Sequence, residues 1–233
     1  MLPVESKKPL PSLKGAFTRT LERAKAKRLA SKPVRIGFVI DATGSREHSW
    51  EQAQRIQSDM FKSITGLRSL RLRVLHFGGA TLTDIGWQSN PRDVAKKMAA
   101  VRCSAGLTQT LPALSEFLEE AQADRAKAII LVGDSFEEDC REAQELGHLL
   151  KSAGIKLFCF LEGDDWIAET EFRDLAATTG GAFAQFGDDL PLADLCEGVA
   201  LLCAGGKTAL YRLNHTKAKQ LLLAGPQEGE KEK

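Results

Sequence analysis

The chain has 233 residues, of which 43% are hydrophobic and 27% are charged. This composition is typical of one globular domain with appended segments, and it excludes disordered, collagenous and coiled-coil proteins. No apolar run approaches the roughly 18 to 20 residues that span a bilayer, and the N-terminus lacks the apolar segment of a secretory signal. The sequence therefore predicts a cytoplasmic protein, and its five widely spaced cysteines predict reduced thiols.

The formal net charge of +1 is distributed unevenly along the chain. Residues 1–32 contain nine Lys and Arg against two Glu, which leaves the remainder of the chain acidic. We interpret this basic arm as a partly helical segment that docks on protein. A solvated helix without a ligand, and an arm that binds nucleic acid or an anionic membrane surface, remain open as alternatives.

Strand and helix patterns alternate along the body of the chain, beginning with a β-branched apolar run that predicts a buried strand. Strands are predicted at residues 34–40, 70–77, 81–87, 128–132, 155–161 and 182–186. Helices are predicted at residues 49–64, 91–101, 110–121, 135–153, 166–178 and 190–203. Two of these helices begin at capping boxes, at Ser49 and at Ser135. Glycines at 78 and 79 predict a hairpin between the second and third strands.

This order of elements predicts a three-layer α/β/α domain of the doubly wound, Rossmann-like type, with a mostly parallel sheet and one antiparallel edge strand. If the hairpin extends the sheet on one side of the first strand, residues 128–132 must lie on its other side. Ligands of open α/β sheets bind where the chain order reverses, so we expect a crevice between Ile40 and Val132. We assign residues 33–205 to this domain and residues 206–233 to a C-terminal extension with a disordered end.

Oxygen-bearing side chains follow the strands that would border this crevice. Asp41, Thr43 and Ser45 come directly after the first strand, and Asp134 follows the strand at 128–132. Thr108 lies in a glycine-containing loop that opens a helix. Carboxylates and hydroxyls suit a hard divalent cation, so the pattern predicts a site for Mg²⁺, with Mn²⁺ and Ca²⁺ as alternatives.

These residues resemble the von Willebrand factor A domain and its metal-ion-dependent adhesion site. The family signature is Asp-x-Ser-x-Ser after the first strand, a threonine in a loop and an aspartate after the fourth strand. The resemblance implies that Thr43 and Ser45 coordinate the ion directly, that Thr108 does so in the engaged state, and that Asp41 and Asp134 act largely through water. Residues 74–79 and 162–165 are similar to bacterial cytosolic members of the family.

The sequence departs from the family pattern at three points. Thr43 replaces the first serine, Arg46 stands where many bacterial members have methionine, and Gly-Asp-Ser surrounds Asp134 in place of Thr-Asp-Gly. Related folds also occur in metal-free form. The departures therefore leave open whether the site holds an ion.

The resemblance implies a protein-interaction module in which the ion accepts an Asp or Glu of a partner protein. Arg46, Glu47, Leu107 and Gln109 are expected to form the rim of this contact. Cytosolic members of the family commonly act as adaptors or subunits beside ATPases or chaperones, which implies such a partner here. The alternative is a scaffold with a vestigial metal site that binds through its basic arm and residues 209–223.

Enzymatic interpretations fail on specific residues. A haloacid-type phosphatase needs a second aspartate where this chain has Thr43, and a serine-hydrolase elbow at Ser135 fails at Glu137. A phosphate loop at Gly206-Lys207-Thr208 fails because position 201 is Leu. We therefore expect a protein that is not an enzyme, with hydrolysis at the bound metal as the less favoured alternative.

Overall fold

The computed structural model describes residues 33–49, 64 and 70–226. The basic arm, nearly all of the helix predicted at 49–64 and the end of the C-terminal extension lie outside these residues. Contacts within the chain separate residues 1–33 from Val34–Lys233, and the sheet and helices given below belong to the second unit.

Six strands form a single sheet in the order β3-β2-β1-β4-β5-β6. Their bounds are Val34–Asp41 (β1), Leu70–Gly78 (β2), Thr81–Gln88 (β3), Ala128–Gly133 (β4), Lys156–Leu161 (β5) and Ala182–Gln185 (β6). All neighbouring strands are parallel except β2 and β3. The predicted sheet, its antiparallel edge strand and the placement of β4 beside β1 are confirmed.

The helices occupy both faces of this sheet. Their bounds are Pro91–Met98 (α1), Thr110–Ser115 (α2), Cys140–Ser152 (α3), Trp166–Thr179 (α4), Leu192–Leu210 (α5) and Thr216–Ala224 (α6), and a 3-10 helix covers Gly44–Ser49. Successive side chains along each strand point to opposite faces of the sheet, so the buried strands contribute to two separate apolar cores. The predicted three-layer α/β/α architecture is confirmed.

The two cores use different helices. On one face, Phe38 and Ile130 of the sheet belong to a cluster with Val94 of α1, Val199 of α5 and Leu222 of α6. On the other face, residues of β1, β4 and β5 pack with α2, α3 and α4, whose buried side chains include Leu114, Leu150 and Phe172. None of the helices among the described residues is long and apolar enough to cross a membrane.

Several helix boundaries differ from the sequence prediction, and α5 runs to Leu210 instead of ending at residue 203. The capping box at Ser135 is wrong, because α3 begins at Cys140 after Asp139, whose carboxylate accepts hydrogen bonds from the first-turn amides of Arg141 and Glu142. The helix predicted at 110–121 ends at Ser115, and the following residues form tighter turns in which Leu118 N donates to Ser115 O over 2.9 Å. Residues 134–139 are therefore a loop at the carboxyl end of β4.

Beside the turn between β2 and β3, the end of β2 lies in close contact with the segment after β1. Gly79 and Ala80 both have positive φ, as in the two-residue hairpin turns that follow the twist of the strands. A Cβ atom on Gly78 would lie 2.4 Å from the carbonyl oxygen of Ala42, so no larger residue fits there without backbone movement. This close approach helps to fix the position of residues 41–43.

Candidate functional site

The register of β1 and β4 brings Asp41 and Asp134 together. Ile40 lies opposite Val132, so Asp41 and Gly133 end neighbouring strands at the same edge of the sheet. A Cβ atom on Gly133 would lie 3.5 Å from the Asp41 Cβ atom and 3.7 Å from its Oδ2 atom. Asp134, the next residue, is close enough to act on the Asp41 carboxylate electrostatically.

Both carboxylates have oxygen atoms that accept no hydrogen bond from the residues that the structure describes. Asp41 is 1% exposed, and its Oδ1 atom accepts a hydrogen bond of 2.7 Å from the Thr43 amide. Its Oδ2 atom and the Oδ1 atom of Asp134 are buried and unpartnered. Such atoms are uncommon in folded proteins because each loses its hydration without compensation.

Burial raises the pKa of Asp41 to about 6, against the effect of the hydrogen bonds from Thr43. The nearby Asp134 carboxylate raises this pKa further, because two like charges disfavour ionisation. Among the described residues, no Lys or Arg forms an ion pair with either carboxylate. Arg46 opposes this rise electrostatically, but its effect is smaller than those of burial and of Asp134, so the pKa of Asp41 stays raised.

Two hydroxyls follow Asp41 on the same segment. The Oγ atoms of Thr43 and Ser45 lie 3.0 Å apart, Thr43 is 3% exposed and Ser45 is exposed. The turn after Asp41 and the 3-10 helix bring these oxygen atoms to the carboxyl edge of the sheet. The structure thus groups four of the five predicted ligands: Asp41, Thr43, Ser45 and Asp134.

The loop that carries Thr108 is anchored at this edge too. Ser104 N donates to Ala42 O over 3.1 Å, and Ser104 O accepts from Gly79 N over 3.0 Å, so residue 104 lies between the ends of β1 and β2. Gly44 abuts the loop, since a Cβ atom there would lie 3.1 Å from the Ala105 Cα atom.

The side chain of Thr108 contacts the β4–α3 loop. Its hydroxyl donates to Glu138 Oε2 over 3.2 Å and accepts from the Glu137 amide over 3.1 Å. The Thr108 amide donates to Glu137 Oε2 over 3.0 Å. Thr108, the fifth predicted ligand, is 4% exposed. These hydrogen bonds hold it against the loop that follows Asp134.

The prediction that Arg46 stands at the contact rim is wrong. Arg46 is 2% exposed, and its Nη1 atom donates to the Asp41 carbonyl oxygen. Its Nε and Nη2 atoms both donate to Glu162 Oε2, with Nε 2.9 Å away. A buried guanidinium needs such a partner, and Glu162 at the end of β5 supplies it. Of the other predicted rim residues, Glu47 and Leu107 are exposed and Gln109 is half-buried.

Cys103 lies near the site and packs against Ala42. Burial raises the pKa of its thiol to about 11, and the Asp41, Glu47 and Asp134 carboxylates act in the same direction against Arg46. The surroundings of this thiol therefore disfavour the thiolate, which is the form that binds a metal. The donors at this site are oxygen atoms.

The donor set fits a hard divalent cation. Unpartnered carboxylate oxygens beside two hydroxyls are ligands that Mg²⁺ and similar ions prefer. Among the residues that the structure describes, no three His, Cys, Asp or Glu side chains are grouped as a metal site. The set found here contains only two carboxylates, and its other oxygens come from hydroxyls.

Sequence reasoning missed three residues: Glu137, Glu138 and Glu162. A signal for Glu138 was present, because Gln109 precedes α2 and makes no side-chain cap, so the first amides of α2 need another acceptor. No comparable signal identifies Glu162, whose role depends on the burial of Arg46.

The strand order and the antiparallel edge strand are those of the von Willebrand factor A fold. No protein-family model matches the sequence. No curated protein matches it either. Solved structures do match, and at under 25% identity they show the fold alone.

Three of these structures have the following likeness. The VWA domain of SpRpn10 is 8% identical with a TM-score of 0.56, covering 72% of this chain and 94% of that one. The conserved hypothetical protein BatB from Bacteroides thetaiotaomicron is 13% identical with a TM-score of 0.57, covering 77% and 98%. Proximal thread matrix protein 1 from the mussel byssus, with zinc in its adhesion-site motif, is 19% identical with a TM-score of 0.59; the match covers 75% of this chain and 46% of that one.

Proposed function

We propose that this chain is a metal-ion-dependent protein-interaction module that binds an acidic side chain of a partner protein. The observation that carries the proposal is the pair of buried, unpartnered oxygens, Asp41 Oδ2 and Asp134 Oδ1, at the carboxyl edge of the sheet. A cation between them would compensate both. The mussel protein of the same fold, which holds zinc at its adhesion-site motif, supports this proposal.

Asp41, Thr43, Ser45 and Asp134 would hold the ion, and Thr108 would complete the set from its own loop. Because the hydroxyl ligands are neutral and the two aspartates would act largely through water, a bound Mg²⁺ would stay electrophilic and could accept a carboxylate from outside the chain. Mn²⁺ and Ca²⁺ are the alternative ions. Around this point, Glu47, Leu107 and Gln109 form the rim, with Leu107 70% exposed as its apolar contact.

In this proposal the chain is an adaptor or subunit of a cytosolic complex, acting beside an ATPase or a chaperone and without enzymatic activity of its own. The similarity of residues 74–79 and 162–165 to bacterial cytosolic members is the basis for placing this complex in the cytosol. A carboxylate that binds at the ion would link the partner to the domain without any bond being broken. Mg²⁺-dependent turnover of a phosphoester or ester by the purified chain would contradict the non-enzymatic part of the proposal.

Metal binding is tested first. We expect isothermal titration of the full chain with Mg²⁺ to show one site, which Asp41→Asn and Asp134→Asn abolish. Asp188→Asn is the matched control, since Asp188 is an exposed aspartate in the loop after β6. Binding by all variants alike would contradict the proposed site.

Carboxylate recognition is tested with peptide arrays whose members differ only in a central Glu or Gln. We expect Glu-specific capture in Mg²⁺ that is lost in EDTA and in Asp41→Asn. Capture that survives EDTA and disappears when residues 1–32 are deleted would favour the scaffold with a vestigial metal site. If the chain also binds nucleic acid, and this binding weakens steeply with salt, the basic arm binds its partners through electrostatic attraction.

A further inference from the structure

We infer that Glu138 is a positioning residue that holds Thr108 for its place in the metal site. This inference rests on the proposed function, because it assigns a role toward the same ion. Glu138 lies four residues after Asp134 in the β4–α3 loop. The structure places its carboxylate on another part of the chain.

The Glu138 carboxylate receives three hydrogen bonds, all from residues 108–111. Its Oε1 atom accepts from Leu111 N over 2.7 Å. Its Oε2 atom accepts from Thr110 N over 3.0 Å and from the Thr108 hydroxyl over 3.2 Å. With donors on both oxygens, Glu138 acts through Thr108 rather than as a ligand of the ion.

These contacts supply hydrogen-bond acceptors to the first amides of α2. The residue before α2, Gln109, offers no side-chain cap, and its first amides would otherwise lack acceptors. Glu138 supplies the acceptor from across the site, and Glu137 adds a second contact by accepting from the Thr108 amide. The loop that carries Thr108 and the loop that carries Asp134 are thereby joined.

The hydroxyl of Thr108 is consequently oriented. Its hydrogen is directed to Glu138, one lone pair accepts from the Glu137 amide, and the other lone pair remains for a ligand. A hydroxyl that donates to a carboxylate is also a stronger electron donor. Outer partners of metal ligands commonly set affinity by 10-fold to 100-fold in this way.

The test is a titration of the full chain with Mg²⁺ for the wild type, Glu138→Gln, Thr108→Ala and the double variant. We expect Glu138→Gln to weaken Mg²⁺ binding by about 10-fold or more. Glu142→Gln is the matched control, because Glu142 is an exposed glutamate on α3 whose loss removes the same charge. Its effect should stay below about threefold, as expected for an exposed charge.

The double variant separates positioning from charge and from folding. If Glu138 acts through Thr108, adding Glu138→Gln to Thr108→Ala should change the affinity by less than about twofold. Glu138→Asp, which keeps the charge but shortens the side chain, should reproduce the loss and decides the matter if Glu138→Gln does not fold. Circular dichroism in EDTA establishes folding for each variant.

Two results overturn the inference. One is a Glu138→Gln affinity no weaker than that of Glu142→Gln, and the other is an equal loss with and without the Thr108 hydroxyl. If the wild type binds Mg²⁺ and either result is found, only the role of Glu138 fails. If neither the wild type nor Glu138→Gln binds Mg²⁺, the proposed function fails as well.

Discussion

Two groups of carboxylates on the same sheet have opposite surroundings. In the first, Arg73 of β2 pairs with Asp84 at 2.9 Å, Glu120 at 3.1 Å and Glu116 at 3.2 Å, and its guanidinium lies 5.1 Å from the centre of the Phe117 ring. In the second, Asp41 and Asp134 lie side by side at the ends of β1 and β4, and among the described residues no cation pairs with them.

The first group has a positive side chain that pairs with its carboxylates, whereas in the second group no described side chain forms such an ion pair. Arg73 is 8% exposed and gathers its three carboxylates into one network that ties β2 and β3 to the segment after α2. Near Asp41, the guanidinium of Arg46 donates instead to Glu162 and to the backbone carbonyl of Asp41. Arg46 therefore offsets the charge of Asp41 only in part, and a proton or an outside cation would compensate the rest.

Removal of the internal cation should have the largest effect. Arg73→Ala leaves Asp84, Glu116 and Glu120 without their common partner, so we expect the free energy of unfolding to fall by about 3 to 4 kcal/mol. Urea denaturation measures this change in the free energy of unfolding. Arg92→Ala, at an exposed position of α1, is the control and should change stability by less than about 0.5 kcal/mol. Equal effects would show that the network is not structural.

The second prediction concerns pH in the absence of metal. Because the folded pKa of Asp41 is about 6 and its ordinary value is 3.8, neutral Asp41 stabilises the fold fully below pH about 4. This contribution, about 3 kcal/mol, is lost as pH rises through 6. We expect urea unfolding in EDTA to show this loss between about pH 4 and 7, with no further change above pH 7, and Asp41→Asn should remove it.

Saturating Mg²⁺ at pH 8 should restore stability to the wild type and not to Asp41→Asn. An Asp41→Asn chain with the same pH dependence as the wild type would show that the carboxylate is compensated by some other group. In that case the contrast with the Arg73 network would no longer hold.

The third prediction removes one hydroxyl without changing side-chain shape. Thr43→Val deletes the oxygen that lies 3.0 Å from Ser45 Oγ, and we expect Mg²⁺ affinity to fall by about 10-fold, or about 1.4 kcal/mol. Thr83→Val, at an exposed position on β3, is the matched control. Equal Mg²⁺ affinity in the two variants would remove Thr43 from the ligand set.

The smallest effect is expected from Gly133→Ala. The added methyl group would contact Phe172 at 3.3 Å and approach Asp41 Oδ2 at 3.7 Å, which the fold tolerates. We expect stability in EDTA to change by less than about 1 kcal/mol and Mg²⁺ binding to weaken several-fold. Gly187→Ala, where nothing lies within 4 Å of an added Cβ atom, should change neither quantity.

The fold was predictable because its signals are local. The apolar runs of β1 and β4, buried on both faces, and the glycine-containing turn before β3 each identify an element without knowledge of the rest. The site at the ends of β1 and β4 then follows from the strand order. Asp41 and Asp134 could be paired from the sequence for this reason.

The partners of the site residues were not predictable in the same way. The burial of Arg46 depends on Glu162, which lies 116 positions away in the sequence, and a charged residue beside a glycine turn is more often exposed. The bond between Thr108 and Glu138 spans 30 positions and replaces a helix cap that the sequence suggested at Ser135. Side-chain pairs of this kind are decided by tertiary packing.

The bend in α5 determines how short a working fragment can be. At Gly206 the backbone leaves helical geometry, and the chain then returns through α6 to place Leu213 and Leu222 over Gly198. A chain cut after Gly205 would lose four residues buried in the same core, Leu210, Leu213, Ala218 and Leu222. The shortest version suited to binding experiments therefore has to extend through Ala224.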